Sequence, residues 1–464
     1  MEETIKLAAE QQEAFNQIEK TLHNVAILGK PGVGKSVLIR ALVDKGQKRY
    51  TLAAPTGLAA LNIGGKTLHS IFRLPISQGI IEPDYNVFPN DDRVIKNIKY
   101  NVNHLIIDEV SMVRADMFDY IDRLMRFCKE STEPFGGAQV ILVGDFYQLP
   151  PVVVREENIQ LKNAGYDSPF AFSSKAFMGN FKIHYLNEVH RQKGDTAFID
   201  FLNIARTGDV RMNDIGKLNM KVTREPKDVR IQLTGTNKQS EIINYTELSK
   251  IEAEPHVFRA EYFGSWPAFP VEVELTLKVG AQVMVKKNGA DLTDDEMGTP
   301  MRKKKESKVV NGTLGVVVDF IPMQNNKPEA VRIRLDNGEE VNIYRRYWER
   351  KVKEKVDNEW TERVLASFEQ MPLSLAWAIS MHKSQGQSFE KVHIDPTKIF
   401  AAGQMYVALS RARSSAGVTL HTPLTPNKFW TDMEVKRFYI DLEEAEEVEP
   451  VKTKGRVKKQ RTKK

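Results

Sequence analysis

The stretch Val25-Ala26-Ile27-Leu28-Gly29-Lys30-Pro31-Gly32-Val33-Gly34-Lys35-Ser36 decides the fold class. Its first four residues are apolar and read as a buried strand. Gly29, four further residues and then Gly34-Lys35-Ser36 complete the pattern G-x-x-x-x-G-K-[ST]. The run from Val37 to Leu42 reads as the helix that follows. Glycines suit a loop that wraps closely around phosphates, because some of its residues need positive φ. The amides of Gly32, Val33 and Gly34 and the helix N-terminus offer positive partial charge to an anion. Lys35 has the reach for β- and γ-phosphates, and Ser36 has the hydroxyl for Mg²⁺. A glycine turn without a ligand is the plain alternative; the order strand, loop, helix argues against it. The stretch points to a nucleoside triphosphate, ATP, and leaves open what the energy is used for.

Working outward, the same pattern recurs. Thr51 to Ala54 reads as a second strand, ending in Pro55-Thr56-Gly57. His104-Leu105-Ile106-Ile107 is a third, ending in Asp108 and Glu109, and Gln139 to Gly144 is a fourth, ending in Asp145. Strands alternating with helices give an α/β fold with a parallel, doubly wound sheet. Ligands of such sheets bind at the carboxyl ends of the strands, so these positions face one crevice. Asp108 suits a metal ligand and Glu109 the group that polarises an attacking water. Upstream, Gln11 lies in a predicted helix over 7–22, where its amide can read an adenine edge or simply be solvated. Residues 73–100 lose periodicity and hold Pro75, Pro83 and Pro89, which predicts a projecting insertion. Tyr85 and Phe88 lie within it; either can pack the insertion itself or stack on a base, and the polar turn after Phe88 suggests a tip.

The chain has 464 residues, enough for two or three cored domains, and a formal charge of +6. Residues 452–464 alone carry eight basic side chains and no acid, so the remainder is slightly acidic. A nucleic-acid path must then be a local groove, not a whole-protein field. The segment 441–464 reads as a disordered, charge-segregated tail that is solubilising, targeting or nucleic-acid binding. The single cysteine, Cys128, excludes an internal disulfide framework and a cysteine-rich metal site. No apolar run approaches transmembrane length, so no membrane partner is expected. The reducing, cytoplasmic location these features fit is an expectation, with nucleus and mitochondrion left open.

Read together, the motifs resemble those of superfamily-one helicases, most closely the Pif-one and RecD-like branch (superfamily 1B). The residues that carry this are Gln11, the phosphate loop, Ala-Pro-Thr-Gly at 54–57, Thr-Leu-His-Ser at 67–70, Asp-Glu-Val-Ser-Met at 108–112 and Gly-Asp-Phe-Tyr-Gln-Leu-Pro-Pro at 144–151. Further on come Leu186 to Gln192, Thr236-Asn237-Lys238, Met381 to Gln387 and Val407 to Ala412. The phosphate loop departs from the family pattern at Pro31 and Val33, where Ala and Thr are usual, and keeps Gly34, Lys35 and Ser36. The motor motifs begin almost at the first residue, so roles that depend on a family extension before them are not expected.

The resemblance implies two RecA-like domains with ATP between them, at 1–184 and at 185–270 with 365–440. It also implies a small β-barrel of Src-homology-three type at 271–364, where Asp336-Asn337-Gly338 already signals a hairpin. Arg302 to Lys305 would lie in a loop of that insert, either solvated or touching DNA. Gln148 would sense the γ-phosphate, Arg191 and Arg411 would be arginine fingers, and Gln387 would lie at the nucleotide. Strand contacts would come from Pro55, Thr56, His69 and Ser70 on the first domain, and from Asn237, Lys238, His382, Lys383 and Ser384 on the second. Phe88 would be a wedge at the fork. The function implied is an ATP-dependent DNA helicase, monomeric, moving 5′ to 3′ on single-stranded DNA and opening forked duplexes in DNA repair, replication or recombination. The alternatives are a strand-stimulated translocase that unwinds poorly, or a small-molecule kinase; the second set of motifs argues against the kinase.

Overall fold

The computed structural model describes residues 7–74, 79–85, 92–188, 195–224, 226, 231–266, 269–292, 307–309, 311–323, 328–356 and 359–448. The first sheet is built around β1 (Asn24–Gly29). It also holds β2 (Thr51–Ala54), β3 (Lys66–Thr67), β4 (His104–Ile107), β5 (Gln139–Gly144) and β6 (Phe181–Leu186), in the order β3-β2-β4-β5-β1-β6. All of its ladders are parallel; Ile27 sits opposite Val143 on one side and His184 on the other. Successive residues of a strand point to opposite faces, which explains why the central strands are apolar throughout. Val25 and Ile27 join Ile141 and Val143 under α1 (Ala9–Lys20) and α2 (Lys35–Lys45). Ala26 and Leu28 join Leu105, Ile107, Val140 and Leu142 in the opposite core, with Phe118, Ile121 and Leu124 of α6 (Ala115–Lys129). Each such valine, leucine, isoleucine or phenylalanine, fully buried, contributes about 1.5–3 kcal/mol.

The crossovers differ in length. α3 (Gly57–Asn62) and α4 (Leu68–Phe72) are short. The stretch 73–100, expected to be an irregular insertion, is partly regular. α5 (Asp92–Asn101) buries Val94 and Ile98, and Asp116 of α6 accepts a hydrogen bond from the Ile81 amide at 2.7 Å. Tyr85 packs against the main core, its ring 6.0 Å from that of Tyr120. Helical apolar spacing in Val94, Ile98 and Val102 outweighs the prolines upstream. Phe88 lies outside the described residues.

After α7 (Arg155–Asn163), α8 (Thr196–Thr207) and α9 (Met212–Asn219), β7 (Gln232–Thr234) and α10 (Asn237–Ser249) open the second half. Antiparallel strands follow: β8 (His256–Arg259), β9 (Glu261–Phe263), β10 (Glu274–Leu277), β11 (Gln282–Val285), β12 (Leu314–Ile321), β13 (Ala330–Leu335), β14 (Glu340–Tyr344), β15 (Arg346–Val356), β16 (Glu359–Gln370) and β17 (Leu373–Leu375). They pair as β10-β8, as β15-β16-β9 and as a five-stranded sheet β14-β13-β12-β11-β17 with its own core. The β13–β14 hairpin falls where the Asn-Gly signal put it, with Gly338 at φ 84°. Among the described residues the ladders of the five-stranded sheet do not close on themselves, so they do not by themselves show the expected barrel. The antiparallel part also runs wider than 271–364, from His256 to Leu375.

The chain then returns to β7 with β18 (Ala378–Ser380), β19 (Val392–Ile394) and β20 (Val418–Leu420), giving a second parallel sheet β18-β7-β19-β20. The helix Gln404–Ser410 precedes β20, and a last helix, Met433–Val448, closes the described chain. That last helix corrects the expectation of a tail from 441. Its apolar stripe Val435, Phe438, Tyr439 and Leu442 packs back onto the first half, where Phe438 stacks on Phe172 at 4.5 Å.

Candidate functional site

The phosphate loop adopts the backbone its glycines allow. Gly32 and Gly34 have φ of 85° and 81°, and Gly34 caps α2. The Lys35 ammonium donates to the carbonyls of Gly29 (2.6 Å) and Lys30 (2.9 Å), so it is held on its own loop. Burial lowers its proton affinity, and the carboxylates of Asp145, Glu109 and Asp108 pull it back up. Val33 is buried under the loop. Gln11 is buried too: its amide donates to the Val33 carbonyl at 2.9 Å, and its oxygen accepts from Ala8 N at 2.9 Å. The expected adenine reader thus has its amide engaged on the loop, tying α1 to it.

A cavity of about 320 Å³ opens over this loop. Lys35, Ser36, Asp108, Glu109, Gln148 and Arg411 all line it, so six candidates far apart in sequence share one space. Asp108 is placed by its amide, which donates to Ala53 at 2.9 Å. Burial, and then the neighbouring Glu109 charge, push its carboxyl up to about 7. Glu109 sits in the left-handed region at φ 53°, a strained setting for a non-glycine residue. Its Oε2 accepts from Gln385 Nε2 at 3.0 Å. Gly386 comes so close that a Cβ there would lie 2.7 Å from Asn62 Nδ2. The two halves of the chain therefore meet at this cavity.

Gln148 is buried, and its Oε1 has no partner in the structure. An orphaned acceptor beside Lys35 and Glu109 fits a bound group that brings a donor. Arg411 donates to the Val407 carbonyl at 3.1 Å and Ser410 Oγ at 2.9 Å, and approaches the Gln387 carbonyl at 3.4 Å. Gln387 is placed next to Arg411 rather than on the cavity wall. Arg191 lies outside the described residues.

A second cavity, about 540 Å³, lies beside the first. Thr56, Asn237, His382 and Lys383, four of the residues expected from the resemblance to touch the strand, line it. Gln385 lines it too, the same residue whose amide holds Glu109. Two further lining residues were not singled out from sequence. Phe400, 63% exposed, stacks on His382 at 5.5 Å and 13°. Lys286 has its ammonium pushed down to about 8 by burial and then by Lys383. Phe400 stands alone in a loop sequence and gave no local signal; Lys286 follows the strand Gln282–Val285, where a charged residue after four buried ones was a readable hint. Ser384, expected as a strand contact, is fully buried and does not line this cavity; its hydroxyl donates to the Met381 carbonyl at 2.7 Å and so shapes the turn. Lys238 and His69 are exposed away from this cavity, Pro55 adjoins Thr56, and Ser70 lines a separate groove.

Behind Gln148, Asp145 forms a buried cluster. Arg206 donates to it from Nη2 at 2.9 Å, and the Tyr406 hydroxyl at 3.1 Å. The guanidinium lies 4.1 Å over the Tyr147 ring, which in turn stacks on Tyr439 of the last helix at 4.6 Å. A Cβ on Gly403 would lie 2.4 Å from the Tyr147 carbonyl, so this turn is held by backbone contact as well. Charge, cation–π and stacking together fix the loop that carries Gln148.

Comparison with known proteins agrees with this geometry. Residues 6–215 match the family model described as PIF1-like helicase. The chain is 34% identical to the ATP-dependent DNA helicase PIF1 of Danio rerio over 445 residues, 94% of this chain and 64% of that protein. It is 31% identical to the ATP-dependent DNA helicase Pif1 of Bdellovibrio bacteriovorus over 448 residues, 95% of this chain and 93% of that one. The crystal structure of Bacteroides Pif1 bound to ssDNA is similar at a TM-score of 0.75 and 33% identity, with 95% of this chain and 98% of that chain covered. The chain spans 56% to 64% of the length of the yeast and vertebrate PIF1 relatives it matches. The two parallel sheets are accordingly those of RecA-like cores.

Proposed function

Because the chain belongs to the PIF1-like helicase family, we propose that it is an ATP-dependent DNA helicase that tracks 5′ to 3′ along single-stranded DNA and opens forked duplexes. One observation carries the reading: Gln385 lines the strand cavity and holds Glu109 in the nucleotide cavity. A strand that shifts Gln385 shifts the carboxylate that activates water. Hydrolysis and strand grip are then two ends of one side chain.

Within this reading the residues divide the work. Lys35 leaves its loop carbonyls for the β- and γ-phosphates, exchanging neutral acceptors for charged ones. Glu109 accepts the proton of the attacking water, and Gln148 orients that water with its free oxygen. Arg411 supplies a fixed, always-charged guanidinium from the second core to the γ-phosphate. Ser36 and Asp108 would hold Mg²⁺. Two protein oxygens suit an ion that keeps waters and phosphates as its other ligands, and among the described residues no group of three or more His, Cys, Asp or Glu is gathered as an all-protein metal cage. When bound, the metal supplies charge neutralisation between the β- and γ-phosphates. Thr56 and Asn237 offer hydrogen bonds to strand phosphates, Lys286 and Lys383 offer charge, and the stacked pair His382–Phe400 offers a platform for a base. Closure of the two cores around nucleotide, and reopening after hydrolysis, alternates the grip of these groups. One chain holds both cores, so the working unit proposed is the monomer.

The test is unwinding of forked duplexes that carry a single-stranded tail on either the 5′ or the 3′ side, run beside strand-stimulated ATP hydrolysis. Unwinding with the 5′ tail alone is expected. Strand-stimulated hydrolysis without unwinding of either substrate would leave a translocase, and a preference for the 3′ tail would reverse the proposed polarity.

A further inference from the structure

Ser70 was expected on the strand path, yet it lines a different groove. This groove, about 570 Å³, lies between β3, α4 and α5 and shares no lining residue with the strand cavity. Lys66, Arg73, Arg93 and Lys96 line it, and among the described residues none that lines it is acidic. Lys66, Arg73 and Lys96 are exposed, and among the described residues none of the three has an ion-pair partner. The neighbouring Lys99, in contrast, pairs with Glu130 at 2.7 Å. Arg73 caps α4 in the left-handed region at φ 49°, a costly conformation for an arginine that places it on the groove wall.

The groove also has a direction. α4 starts at the carboxyl end of β3, the edge strand, and α5 ends just before the amino end of β4. The groove therefore runs down the outer edge of the first sheet, from Ser70 at the rim that faces the strand cavity to Tyr100 at the opposite rim. Tyr100 is 64% exposed, with the Lys99 ammonium 5.9 Å from its ring. Exposed cations along a channel with an exposed aromatic at its end match what a single strand needs: charge for its phosphates and a face for a base. A duplex would gain little from the ring, since its bases are already stacked.

We propose that the groove between β3, α4 and α5 is an accessory site for the backbone of single-stranded DNA, distinct from the strand cavity between the two cores. This rests on the helicase reading. The strand has two possible sources: the tracked strand continuing past Ser70, or the strand displaced at a fork.

The experiment compares the wild type with the variant Lys66→Glu/Lys96→Glu/Tyr100→Ala, and with the milder Lys66→Gln/Lys96→Gln as a control for folding, both checked by thermal melting. Affinity is measured for a short oligonucleotide, for one twice its length, and for a 5′-tailed duplex with and without a second, non-tracked tail. The variant should bind the short strand as the wild type does, with the same stimulated hydrolysis. It should lose about tenfold of the affinity that the wild type gains from one of the two additions. The salt slope for that substrate should be shallower by about 1.4, as two lost phosphate contacts at about 0.7 each require. Loss in the length arm assigns the tracked strand, and loss in the second-tail arm assigns the displaced one. Gains equal to wild type in both arms would overturn the proposal, as would an equal loss on the short strand. Absence of strand-stimulated hydrolysis in the wild type would sink the helicase reading instead, and is seen before any variant is made.

Discussion

At the scale of single residues, the proposed chemistry rests on carboxylate, lysine and glutamine side chains whose environments are set by neighbours from both cores. Glu109→Gln should keep nucleotide binding and lose turnover by several orders of magnitude, since the amide cannot take the water's proton; steady-state hydrolysis beside fluorescent nucleotide binding checks this. Lys35→Ala should abolish hydrolysis. Gln385→Ala should collapse the ratio of strand-stimulated to unstimulated turnover, the quantity that its link between the cavities controls; an unchanged ratio would remove that link from the mechanism. Lys286 makes a prediction about pH. Its ammonium is held near 8, below the ordinary lysine value, so in the free protein its charge is lost as pH rises through 8. Strand affinity should fall between about pH 7.5 and 9, and binding in that window should take up a proton. Lys286→Arg, charged throughout, should flatten the profile.

Elements show what the sequence could and could not reveal. β1, the phosphate loop and α2 were legible because strand, glycine turn and helix are local, and so was the Asp108–Glu109 strand end. The Gln385–Glu109 bond was not, because its partners are 276 positions apart; nor was the Arg206 pairing of Asp145 across 61. Neither partner carries a pattern that points to the other. α5 was missed because prolines upstream masked a short helical stripe. The last helix was missed for a different reason. Its acids Glu443 to Glu447 drew attention to charge, while Val435, Phe438, Tyr439 and Leu442 recur at the helical period and were a usable signal. That helix should matter energetically. Phe438→Ala should cost about 2–4 kcal/mol, given the faces it covers on Phe146, Phe172 and Phe177. Urea unfolding measures it; a cost below about 0.5 kcal/mol would mean that the helix rests on the surface without stabilising it.

For the whole molecule, two parallel sheets meet at one cavity and the last helix reaches back across the first core to cover an aromatic cluster. Phe172, Phe177 and Phe146 are complete only when Phe438 and Tyr439 arrive. On the ribosome these rings emerge long before their cover. About 250 residues separate Phe181 from Phe438. At about 5–20 residues per second the nascent first core waits roughly 13–50 s with that patch uncovered. A fragment that stops after β6 should therefore expose this patch and self-associate where the full chain does not.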